Sequence, residues 1–312
     1  MPDQTAPTGV LLMAYGSPDT LEDVEQYYVN VRGGRIPTPE QVAHLAERYA
    51  AVGGHTPLTA LTRSVADKLQ AALDARAPGR FKTYIGMKYW TPFINDTVAQ
   101  MAADGVREMI AIALAPHYSK ISIGGYLKKV EQANAELAEP IAVQMVESFQ
   151  GHPLFRELIG RRIRAGLEQF PAAERDEVTV LFSAHSLPER VLAWGDPYPE
   201  ELRASAAGIA EQLGLRNWAQ CYQSAGSTGE PWLGPDIAEA LGRLAAEGKR
   251  NVLSVPFGFV SDHLEILYDL DIECQAQARE LGVTLKRISL PNDDDEFVAL
   301  LAALATEAQA AR

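Results

Sequence analysis

The chain has 312 residues, of which 47% are hydrophobic and 22% charged, and a formal net charge of −13 at pH 7. That length supports one large or two medium domains with real cores, and the acidic balance argues against nucleic acid as a partner. No apolar run reaches the length of a bilayer span, the opening MPDQTAPTGVLLMAYGSP lacks a signal peptide's basic region, and two cysteines, Cys221 and Cys274, are too few for a disulfide framework or an all-cysteine iron–sulfur cluster. A reduced cytoplasmic protein is expected.

In chain order, short β-branched runs alternate with longer amphipathic segments. GVLLMA (9–14) reads as a first strand and ends in Tyr15. A long stretch, 27–56, follows with Tyr28, Arg32, Arg35, Arg48, Tyr49 and Thr56, residue types that hold carboxylates. Its GGRIP and VGGHTP are turns and match neither G-x-G-x-x-G nor a P-loop, which argues against a nucleotide enzyme. Strands are then expected at 81–87, 107–115 and 141–146, with a helix at 95–105 between the first two. The second half repeats the scheme, with strands at 177–183, 217–223, 250–257 and 283–289 and a helix at 235–248.

This alternation predicts an α/β fold, with parallel sheets covered by helices on both faces. The halves resemble each other: AYGSP and SAHSLP end one pair of strands, APHYS and VPFGFVSDH another. Two similar Rossmann-like, doubly wound domains of four strands each are expected, 1–160 and 161–312. Ligands of open α/β sheets sit beyond the carboxyl ends of the strands, and two such edges facing each other would form a cleft.

His185 falls at such an end, where a reactive imidazole is as plausible as a structural one. No G-x-S-x-G elbow accompanies it, so a serine hydrolase is unsupported. In PFGFVSDHLEILYDLDIEC (256–274), a helix from near Asp262 stacks Glu265, Asp269 and Glu273 on one face. Either that face is merely solvated or something positive passes along it. Imidazole with carboxylates suits a first-row divalent metal, and the absence of H-E-x-x-H and paired C-x-x-C motifs favours an open transit site over a closed, permanent one. Tyr15 is a packing residue or a phenolic ligand.

Together, LLMAYGSP, IGMKYW, LAPHYS, SAHSLPE, GDPYP, PWLGPD and PFGFVSDHLEILYDLDIE resemble the ferrochelatases over nearly the whole chain. The soluble bacterial coproporphyrin III branch is most similar, because tyrosine occupies the AYG position. The resemblance implies a chelatase fold with a porphyrin cleft between two domains. The activity implied is insertion of ferrous iron into coproporphyrin III in haem biosynthesis, with release of two protons. It assigns His185 and Glu265 to iron handling and proton acceptance and Tyr15 to axial ligation of the product. Arg32, Arg48, Tyr49, Thr56, Lys88 and Tyr126 would hold the porphyrin. Asp269 and Glu273 would form an outer, magnesium-type divalent site or a metal route. Gly33 replaces a second arginine, and Thr56 keeps the hydroxyl of a more usual serine. No permanently bound cofactor is expected, and the protein is expected to be a monomer with transient contacts to haem-pathway enzymes. The rival readings are a protoporphyrin IX ferrochelatase, a cobalt or nickel chelatase, and a non-catalytic tetrapyrrole-binding or haem-delivery protein.

Overall fold

The computed structural model describes residues 6–226 and 229–311. Eight strands lie among them: β1 (Thr8–Ala14), β2 (Phe81–Met87), β3 (Glu108–Ala113), β4 (Ala142–Val146), β5 (Thr179–His185), β6 (Trp218–Gln223), β7 (Asn251–Val255) and β8 (Thr284–Arg287). Each coincides with a run expected from the sequence to within two residues at either end. They form two four-stranded parallel sheets, ordered β2-β1-β3-β4 and β6-β5-β7-β8. Every residue of β1 is buried, as are the first six of β5, because a central strand of a parallel sheet is covered on both faces. The edge strands β4 and β8 keep partly exposed residues.

The chain divides into two compact units. The first comprises Met1–Ala115, Ile121–Phe149 and Asn292–Arg312, and the second comprises Pro116–Lys120 and Gln150–Pro291. The expected division into 1–160 and 161–312 differs from this in three places, one of them the short segment Pro116–Lys120. Helix Pro153–Leu167 belongs wholly to the second unit, and the C-terminal helix Asp295–Ala310 returns to the first. The return has a local cause. Phe297, Leu300, Leu301 and Leu304 are buried on that helix, which packs against helix Leu58–Arg76 and against β3 and β4. Just before it, Asp293 accepts a hydrogen bond from Ser64 Oγ at 2.5 Å and pairs with Lys68 Nζ at 3.2 Å. Segment Pro116–Lys120 is tied into the second unit by the buried Asp196 carboxylate, which accepts from Ser119 Oγ (3.1 Å) and from the Lys120 backbone N–H (2.8 Å).

The expected α-helix from Asp262 is instead a π-helix over Glu265–Cys274. Its i→i+5 bonding widens each turn, and such turns are rare in proteins and frequent at functional sites. The three acids of this row differ in exposure: Glu265 is half-buried, Asp269 buried and Glu273 exposed. Among the described residues no helix is long and apolar enough to cross a membrane.

Candidate active site

In a sheet whose order runs 2-1-3-4, the switch point lies between the first and third strands, and ligands gather beyond their carboxyl ends. In the second unit these strands are β5 and β7. His185 is the last residue of β5, and the segment after β7 leads through Gly258 into the π-helix. A Cβ on Gly258 would lie 2.5 Å from that of Ala184, so only glycine lets this segment pass so close to the end of β5.

His185 Nε2 stands 3.3 Å from Glu265 Oε1. The other oxygen of the same carboxylate, Oε2, lies 3.4 Å from His263 Nε2. Both rings present the same face, because each Nδ1–H donates to a backbone carbonyl: Ser186 for His185, and Ser261 at 2.9 Å for His263. One carboxylate is thereby bracketed by two imidazole nitrogens, and a bare lone pair facing a carboxylate is repulsive unless a proton or cation lies between them. Burial disfavours charge on His185, but the Glu265 charge and hydrogen bond, the Ser186 carbonyl and Asp269 outweigh it, so its pKa rises to about 9. Burial likewise opposes ionisation of Glu265, and the two histidines overcome it, holding the carboxyl well below the usual range. This environment favours the protonated form of His185 as long as no cation lies beside Glu265.

Supporting residues fix this pair. Gln223, fully buried at the end of β6, donates from Nε2 to the Glu265 carbonyl (3.2 Å) and accepts from Ser183 Oγ (2.8 Å). Tyr198 donates its hydroxyl to the His185 carbonyl at 3.0 Å. Ser224 Oγ donates to Asp269 Oδ2 at 2.5 Å. Arg287 holds two further acids of the segment, Asp271 through a bidentate pair at 2.9 and 2.8 Å and Asp262 at 3.3 Å. His185, Glu265 and Asp269 thus belong to one electrostatic group, whereas Glu273 lies at the exposed far end of the helix. Among the described residues, no three His, Cys, Asp or Glu side chains converge to hold a metal ion, so the four expected metal residues do not make a ready-built resident site.

In the first unit, Tyr15 follows β1 and is 42% exposed, with its ring 4.6 Å from that of Tyr89. Lys88, the residue after β2, is buried, with its ammonium over the rings of Tyr126 (4.9 Å) and Tyr89 (5.4 Å). Burial and the nearby Lys129 lower its pKa to about 8. Burial raises the phenols of both tyrosines, so the ammonium meets neutral ring faces. Gly125 makes room for it, since a Cβ there would sit 2.5 Å from Lys88 Nζ. Arg32 caps helix Val24–Val31 and lies over Tyr28. Helix Pro39–Ala51 starts in a capping box, Thr38 and Gln41 bonding reciprocally, and carries Arg48 half-buried in its last turn.

Two of the expected porphyrin contacts, Tyr49 and Thr56, are buried in a hydrogen-bonded group with Ser17. Tyr49 is only 2% exposed, and its hydroxyl lies 3.3 Å from Ser17 Oγ, to which the buried Thr56 donates at 2.8 Å. They brace the turn after β1 from within the core. Sequence reasoning also missed His263, Gln223 and Ser224. The available signal was position: His263 stands two residues before Glu265, and the other two end β6 or follow it.

The fold matches solved structures of chelatases. The sirohydrochlorin chelatase of Bacillus subtilis subspecies spizizenii, solved with cobalt, matches with a TM-score of 0.55 at 10% identity, over 97% of this chain and 95% of that one. The terminal enzyme of sirohaem biosynthesis from denitrifying bacteria matches with a TM-score of 0.53 at 15% identity, over 97% and 98%. At such identities the likeness establishes the two-domain chelatase fold. The sequence narrows this further. Residues 7–309 match the Ferrochelatase family model. A ferrochelatase of Herpetosiphon aurantiacus is 63% identical over 97% of this chain and 99% of its own, and a coproporphyrin III ferrochelatase of Anoxybacillus flavithermus is 42% identical over 94% of each. The chain belongs to the ferrochelatase family, the metal-inserting enzymes of haem biosynthesis.

Proposed function

We propose that this enzyme inserts ferrous iron into coproporphyrin III, as a cytoplasmic monomer, with His185 and Glu265 as its iron-handling acid–base pair. The observation that carries the reading is the Glu265 carboxylate held between His185 Nε2 and His263 Nε2. A dication approaching this group lowers the proton affinity of the imidazole and expels its proton, since a metal competes with protons for the same lone pair. That proton passes to solvent along the carboxylates, and once iron moves on to the pyrrole nitrogens the vacated imidazole nitrogen and the carboxylate accept a pyrrole proton. Insertion exchanges one ferrous ion for two pyrrole protons, and the second proton leaves through the same hydrogen-bonded group. Asp269 and Glu273 extend the negative row along which iron arrives.

Coproporphyrin offers four propionates. Arg32, Arg48 and Lys88 give cations for them, and Tyr15 supplies the phenolic oxygen for the product's metal. Several relatives at about this distance, such as that of Anoxybacillus flavithermus, carry the coproporphyrin name. Propionate contacts remote from the ring centre also supply the energy for bending the macrocycle, which typically costs ~1–5 kcal/mol. Anaerobic insertion rates on coproporphyrin III and protoporphyrin IX, followed at the Soret band, test the choice. A kcat/KM that favours coproporphyrin is expected, and equal or inverted values would overturn it.

A further inference from the structure

Ser224 has φ of +60°, a conformation that only one other non-glycine residue adopts among those described, Asn292 at +52°. Asparagine tolerates this region, and glycine occupies it without strain, but serine does not favour it. What serine adds there is a hydroxyl, and this hydroxyl lies 2.5 Å from Asp269 Oδ2. That is the short geometry of an O–H donating to an ionised carboxylate.

The base from which it reaches is rigid. The preceding residue, Gln223, grips the Glu265 carbonyl with its side chain and accepts from the Ser186 N–H (2.8 Å) with its backbone. Ser224 is therefore held in the same frame as His185 and Glu265. A single bond from it transmits that frame to the next carboxylate along the π-helix.

We propose that Ser224 is a positioning residue for iron uptake, its hydroxyl holding the Asp269 carboxylate in the orientation that passes a divalent cation on to Glu265 and His185. This rests on the reading of Asp269 as a metal-transit carboxylate, and the test separates the two. Iron is varied anaerobically at saturating porphyrin for the wild-type enzyme, Ser224→Gly, Asp269→Asn and the double variant. Glycine suits the backbone at 224, so the melting temperature of Ser224→Gly stays at the wild-type value or rises. Its KM for iron rises about 10-fold, the usual scale for losing a residue that orients a metal-binding group, while kcat and the porphyrin KM hold. The double variant matches Asp269→Asn, because a hydroxyl acting only through that carboxylate has nothing left to orient. If Asp269→Asn raises the iron KM and Ser224→Gly does not, the positioning role is overturned and the transit reading stands. A further loss in the double variant also overturns the positioning role. An unchanged iron KM in Asp269→Asn overturns both.

Discussion

The two sheets share one strand order, and their central strands end in opposite chemistry. Past β1 lie an exposed phenol, Tyr15, and the Tyr89–Lys88–Tyr126 cluster, in which a buried ammonium rests on neutral rings. At the end of β5 lie an imidazolium and a row of carboxylates. Topology brings loops to the carboxyl ends in both units, and nothing in the backbone dictates the sign of the charge there. What separates them is partner supply. Burial works against the charge of both: at Lys88 nothing opposes it and Lys129 adds to it, so the proton is loosened, whereas at His185 Glu265 and Asp269 overcome it, so the proton is held. One strand order thus carries a cationic, aromatic cluster in the first unit and an acidic row in the second, and the proposed function gives the macrocycle to the one and the metal dication to the other.

The sharpest way to break this division is to remove the imidazole. His185→Ala should lower iron insertion by about 10^2–10^4-fold, the range for a lost acid–base group, while porphyrin binding, read by fluorescence quenching, survives. Retained turnover would end the assignment of chemistry to the second unit. Glu265→Gln should cost about 10–100-fold and drop the His185 pKa, because the largest charge opposing burial is then gone. In the wild-type enzyme iron must displace the proton, so its KM should fall as pH rises from 7 towards about 9. In the glutamine variant that dependence should move to lower pH, as NMR titration of the ring would show. The same shift has a stability consequence. With a folded pKa above the unfolded value of about 6.5, His185 stabilises fully below that value and loses the contribution as pH rises through about 9.

On the other side of the comparison, Lys88→Met should raise the porphyrin KM about 10-fold, one charge-assisted contact, and leave the iron KM alone. Because the folded pKa of Lys88 is depressed, its charge opposes folding at pH 7. The methionine variant should gain stability, up to about 3 kcal/mol in a denaturant titration. An equal effect on both substrates would dissolve the split between units. The smallest effect belongs to a residue outside both groups. His117 is buried against Phe155 and Phe257, and among the described residues neither ring nitrogen has a partner. Burial lowers its pKa to about 3, so the folded state loses stability as pH falls below about 6.5. His117→Phe should match the wild type at neutral pH and lose less on acidification to pH 5, by about 1–2 kcal/mol.

Much of this was legible in one dimension. Runs such as GVLLMA and EVTVLFS announce buried parallel strands because both faces must be apolar, and polar residues close after them mark the ligand edge. Tyr15 and His185 were singled out by that rule, and the structure has Tyr15 following β1 and His185 ending β5. Helix faces were less legible. Arg48 and Tyr49 are neighbours in sequence, yet one stays half-exposed and the other is sealed against Ser17. A single turn of helix decides that, and only packing says which face turns inward.

From its order of residues alone, then, the chain determined eight strands, their parallel pairing into two like halves and the family's signature segments, since these follow from local periodicity and short motifs. Tertiary structure decided the return of the last helix to the first unit, the π-helical pitch of the acidic segment and the bracketing of Glu265 by His185 and His263. It also set the proton affinity of that site. Those outcomes depend on distances between residues far apart in sequence, 80 positions from His185 to Glu265 and 229 from Ser64 to Asp293, and electrostatic coupling falls with distance in space rather than along the chain.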